Sequence, residues 1–142
     1  MSRPAAVETG KANPSRVNLA LRGTATASGS EGDPWLPANA IDGDDTTRWS
    51  SAFTDSQWLR IDLTRRWQLS EVTLFWEHAH AVSYRVEASL DGRSWKTLWS
   101  TKAGQGGTVR VDAGATVARY VRIYGVKRSG IYGYSLLEVE IR

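Results

Sequence analysis

The chain has no cysteine, one methionine, two histidines, two phenylalanines and four prolines in 142 residues. The lack of cysteine excludes disulfides and thiolate metal sites, so stability has to come from an apolar core. It leaves the redox environment open. No stretch approaches the roughly 18 consecutive apolar residues that a membrane-crossing helix needs. Met1 to Arg16 holds no hydrophobic run of the kind an export signal requires. The chain therefore reads as an excised module, or as one whose export signal lies elsewhere. Apolar residues never recur at helical spacing, so no helical segment is expected. Internal repeats are missing too.

A large excess of one charge is also absent from the body. The formal net charge is +3, and Arg3, Lys11, Arg16 and Arg22 against Glu8 account for it within the first 22 residues, leaving fourteen residues of each sign in 23–142. A nucleic-acid-binding domain concentrates basic residues on one face, so the positive balance reads as a property of the tail and nucleic acid is not an expected partner. What is present is an ordinary hydrophobic share of 41% with 23% charged residues, which suits one soluble domain with one core. Seven tryptophans are the compositional outlier.

Residues 1–17 mix Pro, Ala, Gly, Ser and scattered charges without an apolar period, which reads as a linker. From Asn18 onward, alternation with a period of two recurs in short runs. Leu59, Ile61 and Leu63 share one face of 57–63; Val72, Leu74 and Trp76 share one face of 69–77. Similar runs cover 83–89, 108–112, 118–126 and 135–142, the last with Leu137, Val139 and Ile141 together. Turn signals separate them at Asp42-Gly43, Asp91-Gly92, Gly104 to Gly107 and Ser129-Gly130. Many short strands at such spacing predict an all-β fold, an antiparallel β-sandwich of jelly-roll type, over residues 18–142.

Seven ordered pieces carry a resemblance: Asn18-Leu-Ala-Leu; Ala25-Thr-Ala-Ser; Asn39-Ala-Ile-Asp-Gly-Asp-Asp-Thr-Thr-Arg-Trp-Ser; Gln57-Trp-Leu-Arg-Ile-Asp-Leu; Tyr84-Arg-Val-Glu-Ala-Ser-Leu-Asp-Gly-Arg-Ser-Trp; Ala118-Arg-Tyr-Val-Arg-Ile; and Tyr132-Gly-Tyr-Ser-Leu-Leu-Glu. Together they resemble the discoidin, or coagulation factor 5/8 type C, domain, and more closely the family 32 carbohydrate-binding modules of bacterial glycoside hydrolases. The cysteine pair that joins the termini of many vertebrate members is absent, which points to the bacterial branch, and the resemblance implies a monomeric, extracellular module of a larger enzyme.

Residues 39–47 bend at Gly43 and are rich in oxygen donors, a composition suited to a hard cation such as calcium, which takes six to eight oxygens in irregular geometry. The resemblance implies a structural calcium ion held by carbonyls of Asn39, Asp44, Thr47 and Leu137, by the carboxylates of Asp42 and Glu138, and by the Thr47 hydroxyl. The alternative is a plain turn at Asp42-Gly43 with Glu138 an exposed strand residue.

Sugar recognition needs a flat aromatic face and charged or amide groups that pair with hydroxyls. The loops that discoidin-type modules use would carry Glu31 and Trp35, Arg48 and Phe53, Glu77, His78 and His80, then Arg128, Tyr132 and Tyr134. Glu31, Arg48, Phe53, Glu77 and the Tyr132-Gly-Tyr134 loop resemble the site of modules attached to chitosan-degrading enzymes. There, acidic residues at the positions of Glu31 and Glu77 meet glucosamine ammonium groups, and a tyrosine is usual where Phe53 stands. The expected partner is therefore a polysaccharide or oligosaccharide, chitosan first. A β-1,3-glucan remains an alternative, as does a galactose-type glycan read by His78, His80, Arg128 and Tyr132.

Competing roles stand beside these. Trp49, Trp58, Trp76 and Trp95 fall in strands or family core motifs and read as packing residues. Arg48 is equally suited to bracing the cation loop. Tyr134 shares a face with Tyr132 only if their loop is extended. Catalysis is not expected: there is no Gly-x-Ser-x-Gly elbow, no third ligand beside His78 and His80, and no deep cleft for Glu31 and Glu77 to act as a glycosidase pair. Anionic membrane binding through Asp33-Pro34-Trp35-Leu36-Pro37 is a further alternative, weakened by Glu31 and Asp33 beside the tip.

Overall fold

Alternating apolar residues build seven strands, and a computed structural model, which describes residues 10–142, shows how they pair. In chain order they are β1 (Thr24–Ala27), β2 (Trp49–Ser50), β3 (Gln57–Trp76), β4 (Ala81–Ser89), β5 (Lys96–Thr101), β6 (Thr108–Arg128) and β7 (Ser135–Ile141). All pairings between them are antiparallel. Residues 57–62 of β3 pair with β1 and with the second half of β6, whereas 71–76 pair with β7 and with the first half of β6. Register slips between Asp62 and Trp67 and between Leu69 and Glu71 break the ladder midway. Such irregularities let a strand bend. One hydrogen-bonded network thereby supplies both layers of an antiparallel β-sandwich, with β1, β4 and β5 on one side and β2 and β7 on the other.

The runs 57–63 and 69–77, expected as separate strands, are thus two ends of β3, and 108–112 and 118–126 are likewise joined in β6. Two short 3-10 turns, Leu19–Arg22 and Pro37–Ile41, correct the expectation of no helical segment. The first is capped by Asn18, whose Oδ1 accepts from the amides of Ala20 at 3.1 Å and Ile141 at 3.0 Å. One side chain therefore joins the start of the body to its last strand. Residues 10–17, read as linker, also pack on the body. Lys11 pairs in parallel with Trp67, its N–H donating to the Arg66 carbonyl at 3.0 Å and its carbonyl accepting from Gln68 at 2.9 Å.

Leu59, Ile61, Leu63, Val72, Leu74, Trp76, Tyr84, Val86 and Ala88 are all buried, as their alternation implies. In β7 the alternation misleads. Phe75 pairs with Glu138 but Trp76 pairs with Leu136, so Leu137 is an extra residue in a β-bulge. Leu136, Val139 and Ile141 take the core positions and Leu137 is only half-buried. Trp49 and Trp76 belong to the core, but Trp58 and Trp95 do not. Trp58 neighbours the inward Leu59 and so faces outward, and Trp95 stacks on the Arg122 guanidinium at 4.1 Å. That outer face is organised by the buried Glu87 carboxylate, which accepts from Arg122 at 2.8 Å and Arg85 at 3.2 Å.

Leu74→Ala, at a fully buried site shared by both ladders of β3, is expected to cost about 2–5 kcal/mol in urea unfolding. Trp58→Ala should cost clearly less, because it leaves a surface depression rather than a cavity.

Candidate functional site

A pair of buried serines organises one end of the sandwich. Ser50 in β2 and Ser135 in β7 face each other with their hydroxyls 2.8 Å apart. Three of the residues singled out in the sequence are attached to this pair. The Glu31 amide donates to the Ser50 carbonyl at 2.8 Å, the Arg48 Nε to the Ser50 hydroxyl at 3.1 Å, and the Glu77 amide to the Ser135 carbonyl at 2.9 Å. Glu31, Arg48 and Glu77 come from three separate segments, and this pair brings them to one end.

Beside them stands an exposed aromatic pair. The rings of Phe53 and Tyr132 lie 5.9 Å apart at 85°, edge to face, and remain 47% and 62% exposed. Their loops are held against each other by reciprocal bonds between Ser51 and Tyr134: the Ser51 amide donates to the Tyr134 carbonyl and the Tyr134 amide to the Ser51 hydroxyl, both at 2.8 Å. Gly133 makes this approach possible, since a Cβ there would lie within 2.8 Å of the carbonyl oxygen of Ala52 and closer still to that of Ser51. Ile131, which sequence reasoning passed over, is 76% exposed next to Tyr132. Its one signal is a bulky apolar residue between Gly130 and Gly133.

Other expected contacts are placed differently. Tyr134 is 1% exposed and packs beside Trp76, with its hydroxyl donating to the Asp55 carbonyl. Burial pushes its phenol pKa up. The loop is bent at 131–132 and not extended, so the two tyrosines do not share a face: Tyr134, one residue before β7, enters the core while Tyr132 leaves it. Arg128 donates to Asp55 at 2.9 Å and to the Ile131 carbonyl at 3.1 Å, so it fixes the loops rather than facing a ligand. It also holds the Asp55 carboxyl below the usual carboxylate range. His78 is exposed, whereas the His80 ring turns back onto its own loop, with Nδ1 2.9 Å from the His78 carbonyl oxygen. Trp35 is half-buried and carries the Arg48 guanidinium 5.4 Å from its ring centroid.

The loop 39–47 forms a second polar centre. The Thr47 hydroxyl lies 3.0 Å from the Asp44 carbonyl oxygen, 3.4 Å from that of Asn39, and in hydrogen-bond contact with Asp42 Oδ2. The Asp44 carboxylate is committed to the Thr46 hydroxyl and amide, which hold it below the usual range. Glu138 reaches this loop from β7 and is 5% exposed, so the reading of an exposed strand residue is corrected. Its Oε2 accepts from the Gly43 amide at 3.1 Å, and its Oε1 is buried without a hydrogen-bond partner. Burial raises its pKa to about 8 and the Asp42 carboxylate adds to the rise, against the Gly43 hydrogen bond. Among the described residues no three acidic, imidazole or thiol groups converge, so a cation here would rest largely on carbonyls.

Gly133→Ala is expected to force the 51–53 and 131–134 loops apart and to lower the thermal midpoint by roughly 5 °C. Gly130→Ala, where a Cβ meets nothing within 4 Å, should leave the midpoint unchanged.

Known proteins match this architecture. The model of the F5/8 type C domain matches residues 24–139. The polysaccharide lyase 8 family protein HylA of Enterococcus faecalis is 33% identical in a 123-residue alignment that covers 78% of this chain and only 9% of that protein's length. Chitosan-binding module 1 of a chitosanase/glucanase from Paenibacillus sp. IK-5 superposes with a TM-score of 0.86 at 42% identity, over 89% of this chain and 98% of the module. Module 2 of the same enzyme, in complex with chitotriose, gives 0.84 at 38% identity over 87% and 98%. The galactose-bound family 32 module of NanJ from C. perfringens shares the fold, with a TM-score of 0.75 at 18% identity over 87% and 96%. On the match across residues 24–139 and the shared sandwich, the chain belongs to the F5/8 type C, or discoidin, domain family.

Proposed function

We propose that this chain is a non-catalytic carbohydrate-binding module that holds an attached, exported polysaccharide-degrading enzyme on a glucosamine polymer such as chitosan. The observation that carries this reading is the exposed Phe53–Tyr132 pair at the same end as Glu31 and Glu77. Two rings at 85° make a corner, in which one face stacks on a sugar ring and the other flanks it. Two carboxylates supply what an amino sugar adds to a neutral one, since an ammonium–carboxylate contact is a charge-assisted hydrogen bond. Identities of 42% and 38% to two chitosan-binding modules support the same ligand. A galactose site built on Arg128 finds less support, because Asp55 and the Ile131 carbonyl already engage that guanidinium. A lipid-inserting Trp35 is likewise disfavoured by the Arg48 guanidinium over its ring.

Glu77→Ala is expected to weaken binding to soluble chitosan by about 10- to 100-fold, the equivalent of one charge-assisted contact of roughly 1.5–3 kcal/mol. The thermal midpoint should stay within about 2 °C of the parent, because the anchoring bond to Ser135 is made by the backbone. Retardation in native affinity gels measures the first and calorimetry the second. Phe53→Ala should weaken binding to a similar degree.

We further infer a structural calcium ion at the 39–47 loop. The residues fit it: the Asn39 and Asp44 carbonyls, the Asp42 carboxylate and the Thr47 hydroxyl are already gathered, and the orphaned Glu138 Oε1 lacks only a positive partner. Thr47 and Leu137 would add carbonyls, the latter from the bulge of β7. The ion would clamp the loop to the last strand and leave no position for chemistry.

Without the ion, the folded state binds the Glu138 proton more tightly than the unfolded chain does, since its pKa of about 8 exceeds the ordinary 4.5. That contribution to stability is complete below 4.5 and is lost as pH rises through 8. The chelated protein should therefore melt progressively lower between about pH 5 and pH 8. Calcium at a hundredfold excess over its Kd should restore about 2.7 kcal/mol at pH 8, or roughly 5–10 °C. Glu138→Gln should melt at one temperature with and without calcium.

A further inference from the structure

β4 begins beside His80 at the aromatic end and runs away from it to Ser89. Beyond its far end, Leu90 and the bend of β3 enclose a groove of about 900 Å³ lined also by Gly10, Lys11, Thr64, Arg65, Arg66 and Arg119. Four cationic side chains share this groove, and among the described residues no carboxylate lines it. The positive charge that the sequence assigned to a tail is in part fixed to the body here, because Lys11 is paired in register with Trp67.

These cations are held in place. Lys11 and Arg65 each stand 5.5 Å from the Trp67 ring centroid, and among the described residues neither makes an ion pair. Arg119 is gripped from below by Asp62 through two bonds of 2.8 and 3.0 Å and rests 5.2 Å from the Tyr120 ring. Arg119 in turn keeps the Asp62 carboxyl below the usual range. Aromatic faces attract cations without neutralising them, so Lys11 and Arg65 keep their positive charge, while that of Arg119 is shared with Asp62, and all three lose little side-chain freedom when a ligand arrives. Thr64 lines the groove at a φ of 70°, a conformation unusual for a β-branched residue, and its amide is bound to Asp62 at 2.8 Å.

We propose that this groove is a second glycan site, specific for an acidic polysaccharide whose carboxylate or sulfate groups pair with Lys11, Arg65 and Arg119. Single-stranded nucleic acid needs open aromatic faces for base stacking, but the faces of Trp67 and Tyr120 carry cations. A membrane or protein surface needs an apolar anchor, and among the described residues Leu90 is the one large apolar side chain in the groove. An open polar groove that reads spaced negative charges suits a sugar chain carrying one anionic group per unit or two.

Native affinity electrophoresis at low ionic strength with polygalacturonate, dextran sulfate, neutral dextran and duplex DNA tests this. Retardation by polygalacturonate assigns carboxylates, and retardation by dextran sulfate assigns sulfates. Neutral dextran should leave mobility unchanged, and added salt should abolish the effect. The double variant Lys11→Gln, Arg65→Gln should bind the acidic glycan roughly tenfold more weakly, with its thermal midpoint and chitosan retention preserved. No retardation by either acidic glycan, an unaffected double variant, or equal retardation by DNA would overturn the proposal. Phe53→Ala should retain acidic-glycan binding, which separates failure of this site from failure of the chitosan reading.

Discussion

β7 carries one residue more than its ladder with β3 can pair, and much of the functional end depends on where that residue goes. The bulge at Leu137 turns Leu136 inward and leaves Glu138 facing outward beneath the 39–47 loop. It also sets Ser135 opposite Ser50 and Gly133 against Ser51. The aromatic corner, the attachment of Glu31 and Glu77, and the buried carboxylate beneath the 39–47 loop all follow from one register shift. Bulges bend strands and redirect side chains, and this one does both within six residues.

Much of this was legible in the sequence. Alternation placed Leu59, Ile61, Leu63, Val72, Leu74 and Trp76 in the core because the period of a strand is two and the faces of a sandwich differ in polarity. It failed at Leu137 for the same reason: a bulge interrupts the period, and nothing in Leu136-Leu137 tells which of two leucines is the extra one. Tyr134 and Tyr132 were inseparable by spacing, since the face each takes depends on Gly133 allowing close approach to Ser51 and Ala52. Arg128 looked available until Asp55 was seen beside it, 73 residues away in the chain. Long-range pairings of that kind leave no local trace.

The two ends of the sandwich differ in chemistry. At one end, the backbones of Glu31 and Glu77 are anchored to the Ser50–Ser135 pair near the exposed Phe53 and Tyr132 rings. At the other, Lys11, Arg65 and Arg119 surround a groove with their rings already covered. If both proposed sites bind, one module holds a cationic and an anionic polymer at once. Tethering of that kind raises local concentration without any new contact at the catalytic centre.

The central claim is that carboxylates at the aromatic end read the ammonium groups of glucosamine. Titration calorimetry with a glucosamine trimer and with the fully N-acetylated trimer tests it most directly, because the two differ only at the 2-amino groups, which are charged in one and capped by neutral acetyl groups in the other. The account predicts that the glucosamine trimer binds, more weakly as pH rises and its amines lose their protons, and that the acetylated trimer does not. Equal binding of both would contradict it.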